Sequence, residues 1–480
     1  MTLRATCISA CIVSALAAGD SGAVSLNPGG IGQALVFPYY TVQTTGPFAF
    51  NTYLSITNTV FGTKALKVRF REGRNSRPVA EFNLYLSPNE GWAATLVPEG
   101  DGVRLLTSDT SCTSPALPAE GLLFSNTAYS MGDDGAGTGL DRTREGHIDV
   151  IEMGILTGDA AANVAHDLLL GRVANCAAVQ GIGAANVGPV GAPSGGLFGS
   201  ATLINVMNGM DLTYNADALA NLSSASMYSA PGAPGTDFDS PQVDPVSFVV
   251  TNNVPYRLNW SRGIDAVTSV FMASQLWNEF ILDAPTASKT DWVVTFPTRR
   301  FYVTSSGFSA PFSHSFGTSF ANCEGLFGGV FDREGRPIPP SGGTPLGGTP
   351  YAACWSANAF AIWRRSGGAR TTSQSDVLGS RNTLFHTEPP TLDSGAIGVP
   401  GYFSSGSLVL GSYPLPGAMT SLPTSLVWDL TSGSVLPGPV IVLGLPWTGF
   451  MARTFENGTL KCGSASCQGN YSGVFPHRRQ

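Results

Sequence analysis

The chain has 480 residues, with 33 acidic and 26 basic side chains, a formal charge of -7 and only 12% charged residues. So weak and acidic a balance excludes general nucleic-acid binding, which needs a basic footprint. Its 58 glycines, 33 prolines and mean hydropathy of +0.10 suit a turn-rich exported β protein better than a helical cytosolic enzyme.

Residues 1–18, MTLRATCISACIVSALAA, read as a secretory signal peptide: Arg4, then apolar and small residues from Ala5, with Ala15 and Ala17 placed for cleavage. Ile8-Ser9-Ala10-Cys11 has lipobox chemistry, but few apolar residues precede Cys11 and a second apolar stretch follows it. No later stretch approaches a membrane span, so no transmembrane segment is expected. Export implies oxidised cysteines, and six follow the signal: Cys112, Cys176, Cys323, Cys354, Cys462 and Cys467. An even number reads as three disulfides, most simply paired in sequence order. Metal-site CxxC or Cys/His spacings are absent.

Strand patterns then follow in quick succession. LVFPYYTV, residues 35–42, reads as an edge strand with a bulge at Pro38. In YLSITN, Leu54 and Ile56 share one face; in KALKVRFREG, Leu66, Val68 and Phe70 point one way and Lys67, Arg69 and Arg71 the other. EGRNSRP turns the chain into EFNLYLSP. Such short alternating strands predict a mainly β fold, an immunoglobulin-like antiparallel sandwich with long insertions and one or two short helices. Residues 157–176 predict a helix capped by Thr157 or Asp159.

The Pro/Gly-rich stretch 229–246 reads as a connector. It divides a sandwich region, residues 19–228, from a second β-rich region, residues 247–480, which can belong to the same sandwich. A short helix is expected after Gly263. TDWVVTFPTRRFYV predicts a strand with Trp292, Val294 and Phe296 on one face and Pro297 forcing a bulge or an edge.

LVFPYYTV, KVRFREGRNSR, NLYLSP, EGHIDVIEMG and TDWVVTFPTRRFYV together resemble blocks of a poorly characterised group of exported proteobacterial cell-surface or hypothetical proteins. The resemblance implies an envelope or extracellular location and brings no catalytic residues with it.

Candidate chemistry is sparse. GTSFA, residues 317–321, shares its letters with the nucleophile motif of subtilisin-like proteases, but no histidine begins the HG pair that the base would need. Gly19-Asp20-Ser21-Gly22, the letters around a trypsin-like serine, lies at the cleavage site and precedes every histidine. The loop GDDGAGTGLD can chelate Ca²⁺ through Asp133, Asp134 and Asp141, although EF-hand spacing is absent. Glu145, His147 and Asp149 alternate on one strand face, as a metal or acid/base site would or as any solvent face does. Asp332 and Glu334 are a carboxylate pair of the kind a glycosidase uses.

Basic residues crowd positions 64–77: Lys64, Lys67, Arg69, Arg71, Arg74 and Arg77. On one reading Lys67, Arg69, Arg71, Arg74 and Arg77 form a patch for anionic envelope polysaccharide or an acidic surface of another protein. On the other they protect an edge strand from aggregation. The expectation overall is an exported structural or interaction protein without catalysis. The alternatives are a glycan- or anion-binding module and a secreted polysaccharide hydrolase.

Overall fold

The computed structural model describes residues 22–480 apart from 168, 170, 181–189, 252, 318–321, 338–350, 366–373, 382–395, 401–403, 413–420, 425 and 437–440. The signal segment 1–18 and Ser319 of GTSFA therefore lie outside the described residues.

The alternating segments form the strands β1 (Ala34–Thr41), β2 (Phe50–Asn58), β3 (Thr63–Glu72), β4 (Pro78–Leu86), β5 (Gly91–Glu99), β6 (Gly102–Leu106), β7 (Glu145–Leu156), β8 (Leu197–Asn205), β9 (Met210–Asn215) and β10 (Asp217–Ala220). β10-β1-β7-β3-β4 is the body of an eight-stranded antiparallel sheet. β9-β8-β2-β5-β6 lies in a six-stranded one. Leu54 and Ile56 of β2, Leu66, Val68 and Phe70 of β3 and Ile148 and Val150 of β7 fill the core between them, so the period-2 faces read from the sequence are the packed faces.

The later strands are β11 (Gln275–Ile281), β12 (Lys289–Thr295), β13 (Glu324–Asp332), β14 (Ala357–Arg365), β15 (Ser405–Ser412), β16 (Thr448–Cys462) and β17 (Ala465–Pro476). A third sheet runs β14-β12-β16-β17 and a fourth runs β13-β15-β11. Trp292, Val294, Phe360 and Met451 of the third sheet join Leu276, Leu326 and Leu408 of the fourth in a second core. Val293, Ala357, Ala359, Phe450 and Ala452, on the other face of the third sheet, belong to the first core. The halves of the chain thus share buried surface through that sheet. The fold is mainly β and antiparallel, with broader sheets than those of an immunoglobulin domain.

Three local expectations change. β1 and β12 are interior strands rather than edges: β1 lies between β10 and β7, and β12 between β14 and β16. The β1 bulge is real, because its register with β7 shifts where Pro38, lacking an N–H, faces His147. Pro297 lies two residues beyond the end of β12 and so interrupts no ladder. The expected helix over 157–176 is only one short helix, α1 (Gly158–Val164). The chain then pairs His166–Asp167 with Arg172–Val173 around Gly171, whose φ of +61° favours glycine. The Cys112–Cys176 bridge ties down the end of this segment. The helix after Gly263 forms as expected, over Gly263–Phe271.

Cys112–Cys176 and Cys323–Cys354 are the bridges expected from sequence order. Cys462 is disulfide-bonded, and the side chain of Cys467 lies outside those described. No helix among the described residues is long and apolar enough to cross a membrane.

Candidate functional site

β3 is an interior strand, between β7 and β4, and every residue of it is buried. Neither an exposed anion patch nor a guarded edge is therefore what Lys67, Arg69 and Arg71 form. Their face is covered by the 229–246 segment, which has no regular structure before Val246 and yet packs as a lid, and by Arg300 from beyond β12.

Under that lid the charges are paired. Glu81 of β4 meets Lys67 Nζ at 3.2 Å and Arg69 Nε at 2.5 Å. Asp149 of β7 meets Arg71 Nε at 2.6 Å and Arg300 Nη2 at 3.3 Å. Asp237, from the lid, meets Arg69 at 3.2 Å and Arg71 at 3.0 Å and also pairs with Arg300. Lys67 donates to the carbonyl of Ala230, Asn83 to that of Ser229, and Gly232 N–H to Glu81. Burial alone would raise the carboxyls of Asp149 and Asp237, but Arg300 and Arg71 hold both below their ordinary values. Lys64 is also fully buried, 2.6 Å from Glu152.

His147 lies on the same face, fully buried, with no hydrogen-bond partner on either ring nitrogen among the described residues. Burial, with Arg300 and Arg71 nearby, pushes it down to about 3, so the ring is neutral. The backbone beside it is closely packed: a Cβ at Gly146 would come within 1.8 Å of the Arg71 carbonyl oxygen. Glu145, His147 and Asp149 are therefore not a solvent face, and they do not converge on one point. Glu145 accepts from Tyr39 Oη, Gln43 Nε2 and the Ser380 hydroxyl, and from Arg381 N–H at 2.8 Å.

The carboxylates of the acidic loop are likewise paired with arginines. Antiparallel pairing of β3 with β7 brings the turn after β3 beside the loop before β7. Arg142 forks onto Asp134 with two 2.9 Å bonds and reaches Glu72 at 3.0 Å. Asp133 pairs with Arg77 at 2.9 Å and Asp141 with Arg74 at 3.7 Å. Burial opposes ionisation of Asp134, yet the Arg142 hydrogen bonds hold its carboxyl below the usual range. Glu72 accepts from the N–H groups of Arg74, Asn75 and Arg77, which shapes the turn. The proposed calcium ligands and two members of the basic cluster thus neutralise one another. Among the described residues no group of three or more His, Cys, Asp or Glu is placed to hold a metal ion. Asp332 and Glu334 both pair with Arg336 in a local turn, at 2.8 and 3.1 Å.

The open feature nearby is a polar cleft of about 330 Å³ lined by Gln43, Thr44, Thr45, Arg74, Gly100, Asp101, Asp141, Arg142, Arg144, Glu145 and Arg381. Sequence reasoning missed Arg142, Arg144, Asp237, Arg300 and Arg381. In a chain with so few charges, TRRFYV, with two arginines between apolar residues, was the available signal for Arg300.

Buried His147 makes a signed prediction. Its unfolded value is near 6.5, so between about pH 6.5 and 3 the unfolded chain binds a proton that the folded chain does not, and stability falls as pH drops through that window. Asp291, pushed up to about 6 by burial and Asp376, acts oppositely below pH 6, but it is common to both proteins in a mutant comparison. The unfolding free energy of wild type minus that of His147→Asn is therefore expected to shrink by roughly 1 kcal/mol per pH unit between pH 6.5 and 4. Urea titrations at each pH read it, and a constant difference would mean that His147 is not held neutral.

No family model matches the chain, and no curated protein or solved structure matches it.

Proposed function

We propose that the protein is exported to the bacterial envelope or the extracellular space and serves there as a structural or interaction element, without catalysis. The observation that carries this reading is where the acid/base groups are used. His147 is neutral beneath the lid, Asp149 and Asp237 are spent on guanidinium groups, and all four oxygen-directed bonds to Glu145 come from the fold itself. A hydrolase needs such groups free and convergent on substrate.

Export is supported by the apolar leader with its Ala15 and Ala17 spacing, by the two disulfides, and by the resemblance of LVFPYYTV, KVRFREGRNSR and TDWVVTFPTRRFYV to exported cell-surface proteins. Fractionation of a C-terminally tagged chain in a Gram-negative host is expected to place it, shortened by the leader, in the periplasm, outer-membrane or culture fraction. A full-length cytoplasmic product would defeat the proposal.

A further inference from the structure

The polar cleft has a feature that the paired clusters around it lack: cations without carboxylate partners. Arg74 and Arg142, on its wall, are already paired with Asp141, Asp134 and Glu72. Among the described residues Arg144 is held by neutral oxygens alone, Nε on the Asp101 carbonyl at 2.8 Å, Nη1 on Thr44 Oγ1 at 2.9 Å and Nη2 on the Gly100 carbonyl at 2.6 Å. Three contacts fix its plane and leave further N–H groups of the fork to give. Arg381 is exposed, its backbone is fixed by the bond to Glu145, and its side chain makes no ion pair among the described residues.

The same cleft is lined by Asp101, an exposed residue, and by Thr44 and Thr45 with their hydroxyls. Glu145 adds a negative charge behind the wall, but its oxygens are taken by Tyr39, Gln43, Ser380 and Arg381, so it is closed to a ligand. Among the described residues the lining contains no aromatic or aliphatic side chain, which disfavours an apolar ligand or a sugar held by ring stacking.

We infer that this cleft binds a small polyhydroxylated carboxylate, a hexuronate or the uronate end of an acidic glycan. The carboxylate is taken by the guanidinium groups of Arg144 and Arg381, and the hydroxyls by Asp101, Thr44 and Thr45. Guanidinium forks match the planar carboxylate in two parallel bonds. A carboxylate and hydroxyls in the same lining accept from and donate to vicinal diols. The cleft volume is at the small end of the range for ligand sites, the scale of one or two sugar rings. This inference adds a ligand to the proposed interaction role.

The test is NMR titration of the full mature chain with galacturonate, with galactose and inorganic phosphate as comparison probes. Galacturonate is expected to bind in the millimolar range, at least about tenfold tighter than galactose. The exposed variant Arg381→Ser is expected to weaken it about tenfold while leaving the unfolding midpoint unchanged, and 0.5 M salt, roughly, to weaken it further. Galacturonate binding no tighter than galactose, or unaffected by Arg381→Ser, overturns the site, as does phosphate binding tighter than galacturonate at the same residues. Trigalacturonate included in the same samples separates the two proposals. Binding with cleavage would overturn the non-catalytic reading and keep the site, whereas no binding would overturn the site alone.

Discussion

Replacing Asp149 by asparagine is expected to lower the unfolding free energy by about 3–5 kcal/mol, the cost of leaving buried charge uncompensated. Asp149 is 1% exposed and holds Arg71, itself 5% exposed, and Arg300. Asparagine keeps the volume and removes the charge, so two guanidinium groups are left to share Asp237, which is already bonded to Arg69. Water cannot take over the lost interaction, because the lid covers the face. Urea unfolding should show a lower midpoint at unchanged slope, as expected when stability changes and the compactness of the end states does not.

The double variant Asp149→Asn/Arg71→Met should recover part of the loss, since removing both partners takes away the desolvated cation as well. Asp133→Asn is the contrast: Asp133 and Arg77 are 54% and 37% exposed, and such a pair contributes roughly 0–1 kcal/mol. Equal effects for Asp149→Asn and Asp133→Asn would show that the network is solvated and not the clasp described above.

The contrast between those two pairs also marks what the sequence can and cannot say. The alternation of KALKVRFREG correctly assigned Leu66, Val68 and Phe70 to a core, because that pattern is local. It could not say what covers the other face. The partners of Lys67, Arg69 and Arg71 stand at 81, 149 and 237, and only the folded chain brings them together. A polar strand face reads as solvated by default, and here a Gly/Pro-rich segment that also reads as a linker lies over it.

The acidic loop and the basic turn each looked like a binding site for the same reason, since each was seen without the other. The β3–β7 register, Gly146 opposite Glu72, makes them neighbours. Pro38 and Pro297 suggested edges because proline cannot donate to a ladder. One falls where the register shifts and the other beyond its strand end, so neither breaks a pairing.

The bridge between Cys112 and Cys176 is expected to be the other large contributor. Its 64-residue separation corresponds to about 4 kcal/mol of loop-closure entropy in the unfolded chain. The Cys323–Cys354 loop of 31 residues differs by only about 0.6 kcal/mol on that ground, so loop length does not distinguish the two. Position does. Cys112 is fully buried in a small third core with Ala65, Tyr85, Met153, Leu156, Val164 and Val179, and its carbonyl accepts the N–H of Tyr85.

That core has few members and is roofed by α1 and the four-residue helix Ala177–Gln180, elements too short to persist alone. The double variant Cys112→Ala/Cys176→Ala should therefore lose about 4 kcal/mol and, before global unfolding, lose amide protection over residues 157–180 while β1, β3 and β7 stay protected. Hydrogen exchange read by mass spectrometry checks both parts. Unchanged protection over 157–180 would show that packing alone holds the segment.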